Sequence, residues 1–253
     1  MSEEVRAMIL AAGRGERLRP LTDTTPKPLV RVGGRALIDY AIECVVRAGI
    51  RRVVVNLHHL GGQIREHLGD GSRFGVSIDF SPEDPLQDTG GGIRDARRFL
   101  GDATFVTLNS DTIVDVDLAA VIAFHRARRA AATLVLQKHE RMEHFGLIRT
   151  ENDGRIGAFL DHERTDARHP LEPFMYTGVQ VLDPAVFTYM PPADPFSITR
   201  VTYPQMLRAG EPLYGYVFDG SWITVGTPQE LSEAESLLGM RRRGAWTTRS
   251  VEM

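Results

Sequence analysis

The sequence predicts an α/β fold in which helices cover both faces of a mostly parallel sheet. Short apolar runs alternate with segments of helical spacing through about residue 138, which is the rhythm of successive βαβ units. Beyond residue 140 this rhythm changes to a hairpin signal, followed by strands and helices in mixed order. The second part is therefore expected to be a smaller α+β unit that completes the same domain.

The first part is expected to supply the parallel strands. Short apolar or β-branched runs predict the strands, and segments with apolar residues three or four positions apart predict the helices. The strands are expected at 7–12, 52–57, 76–80, 104–109 and 133–137, and the helices at 36–48, 62–68, 93–100 and 118–129. Ligands of such sheets bind beyond the carboxyl ends of the strands, so functional residues are expected there.

The second part begins with a hairpin. Asn152-Asp153-Gly154 is a tight-turn sequence between strands expected at 146–149 and 155–159. Further strands are expected at 174–182, 213–217 and 222–225, and helices at 199–208 and 228–238. We expect one domain over residues 1–240, divided near residue 138, and a C-terminal tail over 241–253.

The composition is that of an ordinary globular protein, with 42% hydrophobic and 25% charged residues and a net charge of −3 over 253 residues. Without a global positive charge, nucleic acid and membrane surfaces are not expected as partners. The single cysteine, Cys44, permits no intramolecular disulfide. No apolar run approaches the ~20 residues of a membrane span, and the acidic MSEEVR start is unlike a signal peptide. A reducing, cytoplasmic location is therefore expected.

The N-terminal stretch AMILAAGRGERLRPLTDTTPKP has the character of a triphosphate site. An apolar strand ends in a turn where Gly13 and Gly15 let backbone N–H groups approach an anion. Fixed positive charge follows at Arg17, Arg19 and Lys27, and prolines on both sides restrict the backbone of Lys27. The stretch is not a Walker A loop, because no Gly-Lys-Thr or Gly-Lys-Ser follows, and it lacks the third glycine of a dinucleotide fingerprint.

The stretch LAAGRGERLRPLTDTTPKPLVRVGGRALI, which begins at Leu10, resembles the signature of the sugar-1-phosphate nucleotidyltransferases. The resemblance extends to about residue 238 and implies a Rossmann-like mixed sheet of the nucleotide-diphospho-sugar transferase type. It implies a nucleotide-binding half at about 1–138 and a sugar-binding half at 139–240. In the implied reaction, a sugar phosphate attacks the α-phosphorus of a nucleoside triphosphate and releases pyrophosphate.

The same resemblance implies roles for the N-terminal residues. Arg17 and Lys27 are the implied catalytic cations of this segment: both bind the nucleotide, and Lys27 bridges the phosphates of the two substrates. Charge neutralisation and positioning of this kind are what two reacting anions require. The other implied nucleotide contacts here are Leu10, Ala11, Ala12, Gly13 and Gly15.

Two later motifs are expected to complete the nucleotide site. The glycines of Asp88-Thr89-Gly90-Gly91-Gly92 precede a helical segment and suit close backbone approach to a flat base. Asn109-Ser110-Asp111 ends an apolar strand, where an aspartate is either a turn residue or a ligand for Mg²⁺ beside substrate phosphates. The resemblance implies that Asp88, Thr89, Gly90 and Asn109 bind the nucleotide and that Asp111 is catalytic and binds the metal.

The resemblance also implies sugar contacts in the second half, at Gly146, Asp161, Thr177 and Gly178. Asp161 and His162 stand where many members of the family have Glu and Lys. Because a histidine is only partly charged near neutral pH, the sugar phosphate is expected to need another cation, such as Arg200.

The sequence departs from the family pattern at Thr224, in the segment GSWITVGTP. The family usually has there an aspartate that is the second magnesium ligand, and a neutral hydroxyl is a poor substitute for a carboxylate. Either Asp111, phosphates and water hold the metal, or another acid such as Asp219 compensates, or the activity is weak.

The resulting functional expectation is a Mg²⁺-dependent enzyme that joins a nucleoside triphosphate to a sugar 1-phosphate. GTP with a mannose- or heptose-type sugar is favoured, because MYTGVQVLDPAVFTYMPP resembles the guanylyltransferases of the family. DTGGG and its flank resemble the N-acetylmuramate-1-phosphate uridylyltransferases, so UTP with that sugar is the alternative. A catalytically silent, regulatory relative that binds nucleotide sugars is a further alternative, and a homo-oligomer is possible.

Overall fold

The computed structural model describes residues 4–138 and 147–242 of the chain. In this part of the chain the strands are β1 (Arg6–Leu10), β2 (Arg31–Val32), β3 (Arg35–Ala36), β4 (Arg52–Leu57), β5 (Ser77–Pro82), β6 (Phe105–Asn109), β7 (Thr112–Val114), β8 (Ala132–Gln137), β9 (Leu147–Thr150), β10 (Ile156–Phe159), β11 (His162–Glu163), β12 (Glu172–Leu182), β13 (Leu213–Val217) and β14 (Trp222–Thr224). The helices are α1 (Leu37–Arg47), α2 (Gly61–Leu68), α3 (Asp88–Asp95), α4 (Arg97–Leu100), α5 (Leu118–Arg128), α6 (Tyr203–Arg208) and α7 (Pro228–Arg242).

Four parallel strands in the order β5-β4-β1-β6 form one side of the central sheet. Their carboxyl ends therefore lie at a single edge, with Leu10 directly beside Asn109 in the register of β1 and β6. That edge carries the candidate site, as expected for a sheet of this type.

The long strand β12 joins the second half of the chain to this parallel unit. Residues 179–182 pair antiparallel with β6, and residues 172–175 pair antiparallel with β9. The other partner of β12 is β8, with a break in register between Tyr176 and Gln180. Gly178 lies in this break with φ +87°, a left-handed conformation that favours glycine. The sheet is mixed and continuous across both halves.

The core lies on both faces of the sheet, because the apolar side chains of Ala7, Met8 and Ile9 in β1 point alternately to opposite faces and all are buried. Ala7 and Ile9 point into the cluster that packs against α1, whereas Met8 points into the cluster on the opposite face with Ile93 and Leu100. A third, smaller cluster joins α7, β7 and β14 to the segment after the first glycine loop. The N-terminal motif is therefore anchored to the last helix.

The predicted strands and helices are largely confirmed, and the differences have local causes. The helix expected at 93–100 begins instead at Asp88, so the three glycines lie inside α3, and a break at Ala96 separates α4. The helix expected at 199–208 starts with a π-helical turn, Ile198–Thr202. The closing helix extends to Arg242 rather than 238. Strands β2, β3, β7 and β11, of two or three residues each, were not predicted from the sequence.

Candidate active site

A cleft of about 730 Å³ opens at the carboxyl edge of β1, β4, β5 and β6. The predicted residues that line it are Leu10, Ala12, Gly13, Gly15, Arg17, Lys27, Asp88, Thr89, Asn109 and Asp111. Two predicted nucleotide contacts, Ala11 and Gly90, are buried next to it rather than part of its lining. The sheet order thus brings together segments that are far apart in the sequence.

The glycine loop is held in shape by its own neighbours. Gly15 has φ +66°, and a β-carbon built on it would lie 2.9 Å from Cγ2 of Thr22 and 3.1 Å from Cβ of Lys27. The Thr22 hydroxyl donates to the Gly15 carbonyl (2.8 Å), and Nε2 of His59 donates to the Thr22 carbonyl (2.9 Å). Only glycine meets both the conformational and the steric requirement at position 15.

Lys27 and Asp111 form the charged centre of the cleft. Lys27 begins a 3₁₀ turn, Lys27–Leu29, between two prolines, which agrees with the predicted restriction of its backbone. Its Nζ lies 2.5 Å from Oδ2 of Asp111, and the two side chains are only 12% and 29% exposed. One cation and one anion, both mostly buried, therefore lie in contact in the lining of the cleft.

The two arginines of the N-terminal motif take different positions. Arg17 lines the cleft and packs against Gly226, where a β-carbon would lie 2.7 Å from Nη2 of Arg17. Arg19 has a 57% exposed side chain, pairs with Asp23 at 3.2 Å, and is not part of the cleft lining. Of these two arginines, Arg17 is therefore the one that brings positive charge to the cleft, which Arg14 and Lys27 also line.

A buried polar network at the back of the cleft was missed by the sequence reasoning. Oδ1 of Asn56 accepts from the backbone N–H of Ala11 (2.7 Å), and Nδ2 of Asn56 donates to Oε1 of Glu83 (2.7 Å). The other oxygen of Glu83 accepts from the backbone of Gln87 (2.8 Å). Burial raises the pKa of the Glu83 carboxyl, although these hydrogen bonds oppose the shift. The sequence feature that could have indicated this network is a polar residue near the carboxyl end of each strand, Asn56 in β4 and Glu83 after β5.

The glycines of α3 serve packing as well as access. The N–H groups of Gly90 and Gly91 both donate to the carbonyl of Phe196, at 2.8 and 3.2 Å. A β-carbon on Gly90 would lie 2.2 Å from the Phe196 ring and 2.9 Å from the backbone nitrogen of Ile198. The Thr89 hydroxyl accepts from that same Ile198 N–H at 3.2 Å. The start of α3 is therefore fastened to the second half of the chain.

The predicted sugar contacts lie apart from one another. Asp161 lines a second cavity together with Arg200, the cation expected to hold the sugar phosphate. Thr177 is 1% exposed and its hydroxyl donates to the Val135 carbonyl (2.9 Å), so this hydroxyl is already engaged. Gly178 lies against the side chain of Asn109, with 2.6 Å between a built β-carbon and Nδ2. Gly146 lies outside the described residues.

Thr224 lies close to Asp111, as its place in the motif implies. β14 pairs antiparallel with β7 so that Thr224 is opposite Thr112, and the N–H of Val225 donates to the carbonyl of Asp111 at 3.0 Å. Over residues 4–138 and 147–242, no three His, Cys, Asp or Glu side chains are grouped so as to hold a metal ion by themselves. A metal at Asp111 would therefore complete its shell with oxygen atoms of water or of the substrates.

No helix in the described part of the chain is both long enough and apolar enough to cross a membrane.

Comparison with known proteins identifies the chain's relatives. The model of the family described as Nucleotidyl transferase matches residues 6–240. An N-acetylmuramate alpha-1-phosphate uridylyltransferase from Neisseria meningitidis serogroup B is 36% identical over 239 residues, covering 93% of this chain and 99% of the relative. A mannose-1-phosphate guanylyltransferase from Mycobacterium tuberculosis is 32% identical over 230 residues, covering 90% of this chain and 63% of the relative.

Another relative is a UTP–glucose-1-phosphate uridylyltransferase from Synechocystis, 30% identical over 235 residues, with 88% of this chain and 60% of the relative covered. The chain thus spans only about three fifths of the Synechocystis and Mycobacterium proteins.

Among solved structures, a Bacillus anthracis protein provisionally described as a glucose-1-phosphate thymidylyltransferase aligns with a TM-score of 0.79 at 25% identity, over 92% of this chain and 95% of that one. HddC from Yersinia pseudotuberculosis, complexed with GMP-PN, aligns with a TM-score of 0.75 at 20% identity, over 92% of this chain and 98% of that one. Both share the mixed sheet flanked by helices, and the HddC match supports the fold alone.

Proposed function

The chain belongs to the nucleotidyl transferase family, and from this premise we propose that it transfers a nucleotidyl group from a nucleoside triphosphate to a sugar 1-phosphate. One observation carries the proposal. The Lys27 ammonium and the Asp111 carboxylate meet at 2.5 Å inside the cleft that the glycine loop also lines. A cation, a carboxylate and a glycine loop in one cleft suit a polyphosphate whose charge must be neutralised during reaction.

In the proposed reaction, an oxygen of the sugar phosphate attacks the α-phosphorus of the triphosphate. One P–O bond forms there, the bond from the α-phosphorus to its bridging oxygen breaks, and pyrophosphate leaves with that electron pair. No covalent intermediate with the protein is required. Lys27 binds and orients the two anionic reactants, and Arg17 neutralises the triphosphate at the rim of the cleft.

The site fits a divalent cation held jointly by protein and substrate. The Asp111 carboxylate lines the cleft, and among residues 4–138 and 147–239 its one side-chain partner is Lys27, so it can turn to a metal once Lys27 engages phosphate. Mg²⁺ commonly takes one or two carboxylates and completes its shell with phosphate oxygens and water. When bound, it would neutralise charge on the phosphates. We propose Mg²⁺ as the cofactor, with Asp111 as its ligand.

We propose GTP and a mannose- or heptose-type 1-phosphate as the substrate pair. The likeness of residues 175–192 to guanylyltransferases supports this choice, and the Mycobacterium relative is named as one. UTP with N-acetylmuramate 1-phosphate is the second candidate. A specific observation favours it: the Neisseria relative of that name matches over 99% of its own length.

The test is a matrix of nucleoside triphosphates against sugar 1-phosphates, with pyrophosphate release as the readout. GTP, UTP, dTTP, ATP and CTP are each combined with mannose, heptose, glucose and N-acetylmuramate 1-phosphates in the presence of Mg²⁺. We expect turnover for at least one pair, and the highest turnover for GTP with mannose or heptose 1-phosphate. Tight binding of nucleotide sugars without turnover for any pair would instead indicate the regulatory relative.

A further inference from the structure

Two consecutive histidines follow β4 and bind two different segments next to the cleft. Nδ1 of His58 donates to the carbonyl of Glu83 (3.0 Å), and Nε2 of His59 donates to the carbonyl of Thr22 (2.9 Å). Each of these nitrogens carries a hydrogen, because a carbonyl oxygen can only accept. Neither histidine lines the cleft, so any effect on a ligand must pass through the segment that it holds.

The hydrogen bond from His59 is the first of two in series that lead to the glycine loop. Thr22 is 1% exposed; its carbonyl accepts from His59, and its hydroxyl donates to the carbonyl of Gly15 at 2.8 Å. Gly15 is packed between Thr22 and Lys27, since a β-carbon built on it would lie 2.9 Å from Cγ2 of Thr22 and 3.1 Å from Cβ of Lys27. A displacement of Thr22 would therefore be passed to Gly15 and to the start of the Lys27 side chain.

The segment that carries His59 is itself held in place. Leu60 has φ +51°, a left-handed conformation that a bulky residue keeps only where its surroundings fix it. On one side the bond from His58 ties the segment to Glu83, and on the other Nε2 of Gln63, in α2, donates to the carbonyl of Thr24 at 3.0 Å. Residues 58–63 therefore form a fixed support for the segment 22–24, which lies between the glycine loop and Lys27 in the sequence.

We propose that His59 is a positioning residue, which through Thr22 holds the glycine loop in the conformation that binds the β- and γ-phosphates of the triphosphate. This inference rests on the proposed function, because it takes the ligand of the loop to be a nucleoside triphosphate. His59 touches no reacting atom, and it acts on the affinity for the two outer phosphates rather than on the base or the acceptor. The transfer step is unchanged.

The test compares nucleotides that differ only in the two outer phosphates. The Kd values of GTP and GMP, and of UTP and UMP, are measured by isothermal titration calorimetry with Mg²⁺ and without acceptor, for the parent and for His59→Leu. The ratio of the monophosphate Kd to the triphosphate Kd isolates the contribution of the β- and γ-phosphates. We expect His59→Leu to lower this ratio by about five- to tenfold, which corresponds to about 1–1.4 kcal/mol, the net contribution of one hydrogen bond.

Steady-state kinetics give a second readout of the same effect. In His59→Leu the KM for the triphosphate should rise by about the same factor, because the loop binds the outer phosphates less well. The KM for the acceptor should stay within about twofold of the parent. A purely structural loss would not divide the two substrates in this way.

Further variants assign the effect to the two hydrogen bonds in series. His59→Gln keeps an N–H donor and should restore most of the ratio. Thr22→Val removes the hydroxyl that bonds Gly15 while keeping the side-chain volume, and it should lower the ratio as His59→Leu does. The double variant His59→Leu, Thr22→Val should lower the ratio by no more than the larger single effect, because both bonds act on the same loop.

His67→Leu is the matched control. His67 lies in α2, its side chain is 24% exposed, and its Nε2 is 2.8 Å from Oδ1 of Asp39. Neither His67 nor Asp39 lines the cleft. This variant should lower the melting temperature and leave the ratio of the two Kd values unchanged.

Three outcomes would overturn the inference. A ratio in His59→Leu within about twofold of the parent contradicts it and leaves the proposed function standing. Equal weakening of monophosphate and triphosphate, without rescue by His59→Gln, would give His59 a structural role only, again with the function intact. If His59→Leu does not fold, the ratio in Thr22→Val decides in the same way. A parent protein that binds no nucleotide and releases no pyrophosphate with any substrate pair would refute the proposed function, and the inference with it.

Discussion

Replacing Gly90 by alanine tests whether the contact between α3 and residues 196–198 holds the two halves of the site together. The added β-carbon would lie 2.2 Å from Cε2 of Phe196 and 2.9 Å from the backbone nitrogen of Ile198. An ordinary carbon–carbon contact is about 3.5 Å, so the ring and the helix must separate by about 1.3 Å. The backbone atom of Ile198 cannot move away as a flexible side chain can.

The expected cost follows from two opposing terms. Overpacking of this kind costs about 1–3 kcal/mol, and alanine returns up to about 1 kcal/mol because Gly90 is inside a helix. Because the contacts to the Phe196 ring and to the backbone of Ile198 are both shorter than 3.0 Å, the upper half of the overpacking range applies, about 2–3 kcal/mol, and the free energy of unfolding should fall by about 1–2 kcal/mol after the helix term. For a chain of this size that lowers the melting temperature by about 2–8 °C, which thermal or urea denaturation can measure.

Gly62→Ala is the matched control for the helix term. Gly62 lies within α2, and nothing is within 4 Å of a β-carbon built on it. This variant should gain about 0.5–1 kcal/mol in stability from helix propensity alone. If Gly90→Ala is as stable as the parent or more stable, the packing argument is refuted. A raised KM for the triphosphate with unchanged stability would instead support contact with the base.

Three further predictions follow from other parts of the structure. Burial lowers the pKa of His125 from 6.5 to about 4, so the unfolded chain binds a proton first on acidification. The stability that neutral His125 contributes is complete above pH 6.5 and is lost as the pH falls toward 4. The free energy of unfolding, measured by urea denaturation at each pH, should fall by about 3 kcal/mol over this range, and His125→Gln should reduce the fall. The Glu151 carboxylate, 3% exposed, pairs with Arg164 and Arg168, and Glu151→Gln should lower the free energy of unfolding by about 3 kcal/mol because it leaves a buried guanidinium without its anion. Glu163→Gln is the control, because Glu163 is exposed, and it should cost under about 1 kcal/mol. Thr224→Asp places a second carboxylate near Asp111 and should tighten the binding of Mn²⁺ to the protein without nucleotide by about tenfold or more. The affinity can be measured by electron paramagnetic resonance, and an unchanged affinity would contradict the prediction.

The parallel strands β1, β4 and β6 could be predicted because each is a run of mostly apolar or β-branched residues that is buried on both faces. β4, Arg52–Leu57, matches its prediction residue for residue. Lys27 and Asp111 were predicted separately as a phosphate-binding cation and a metal ligand. Their contact could not be predicted, because it depends on β6 lying next to β1, and no local pattern specifies strand order.

The remaining features depend on residues that meet only in the folded chain. The three glycines after Asp88 indicated close approach, but the approach is to Phe196 and to Glu83, which spacing alone does not connect to them. The hydrogen bond from Asn56 to Glu83 has the same character, since each residue is simply a polar residue near the carboxyl end of a strand. Thr177 was predicted to contact the sugar, and its hydroxyl bonds a neighbouring strand instead of facing open space. Its role toward the sugar stays a prediction.

The central claim is that nucleotidyl transfer takes place at Lys27 and Asp111, and Lys27→Ala tests it most directly. Pyrophosphate release is measured for the most active substrate pair, together with the melting temperature. We expect kcat/KM to fall by at least about 100-fold, as for the loss of one charge-stabilising donor, with the fold retained. Arg19→Ala, in the same segment but 57% exposed and outside the cleft lining, should keep near-normal activity. Activity of Lys27→Ala within about threefold of the parent would contradict the account, since a donor of this kind normally contributes far more.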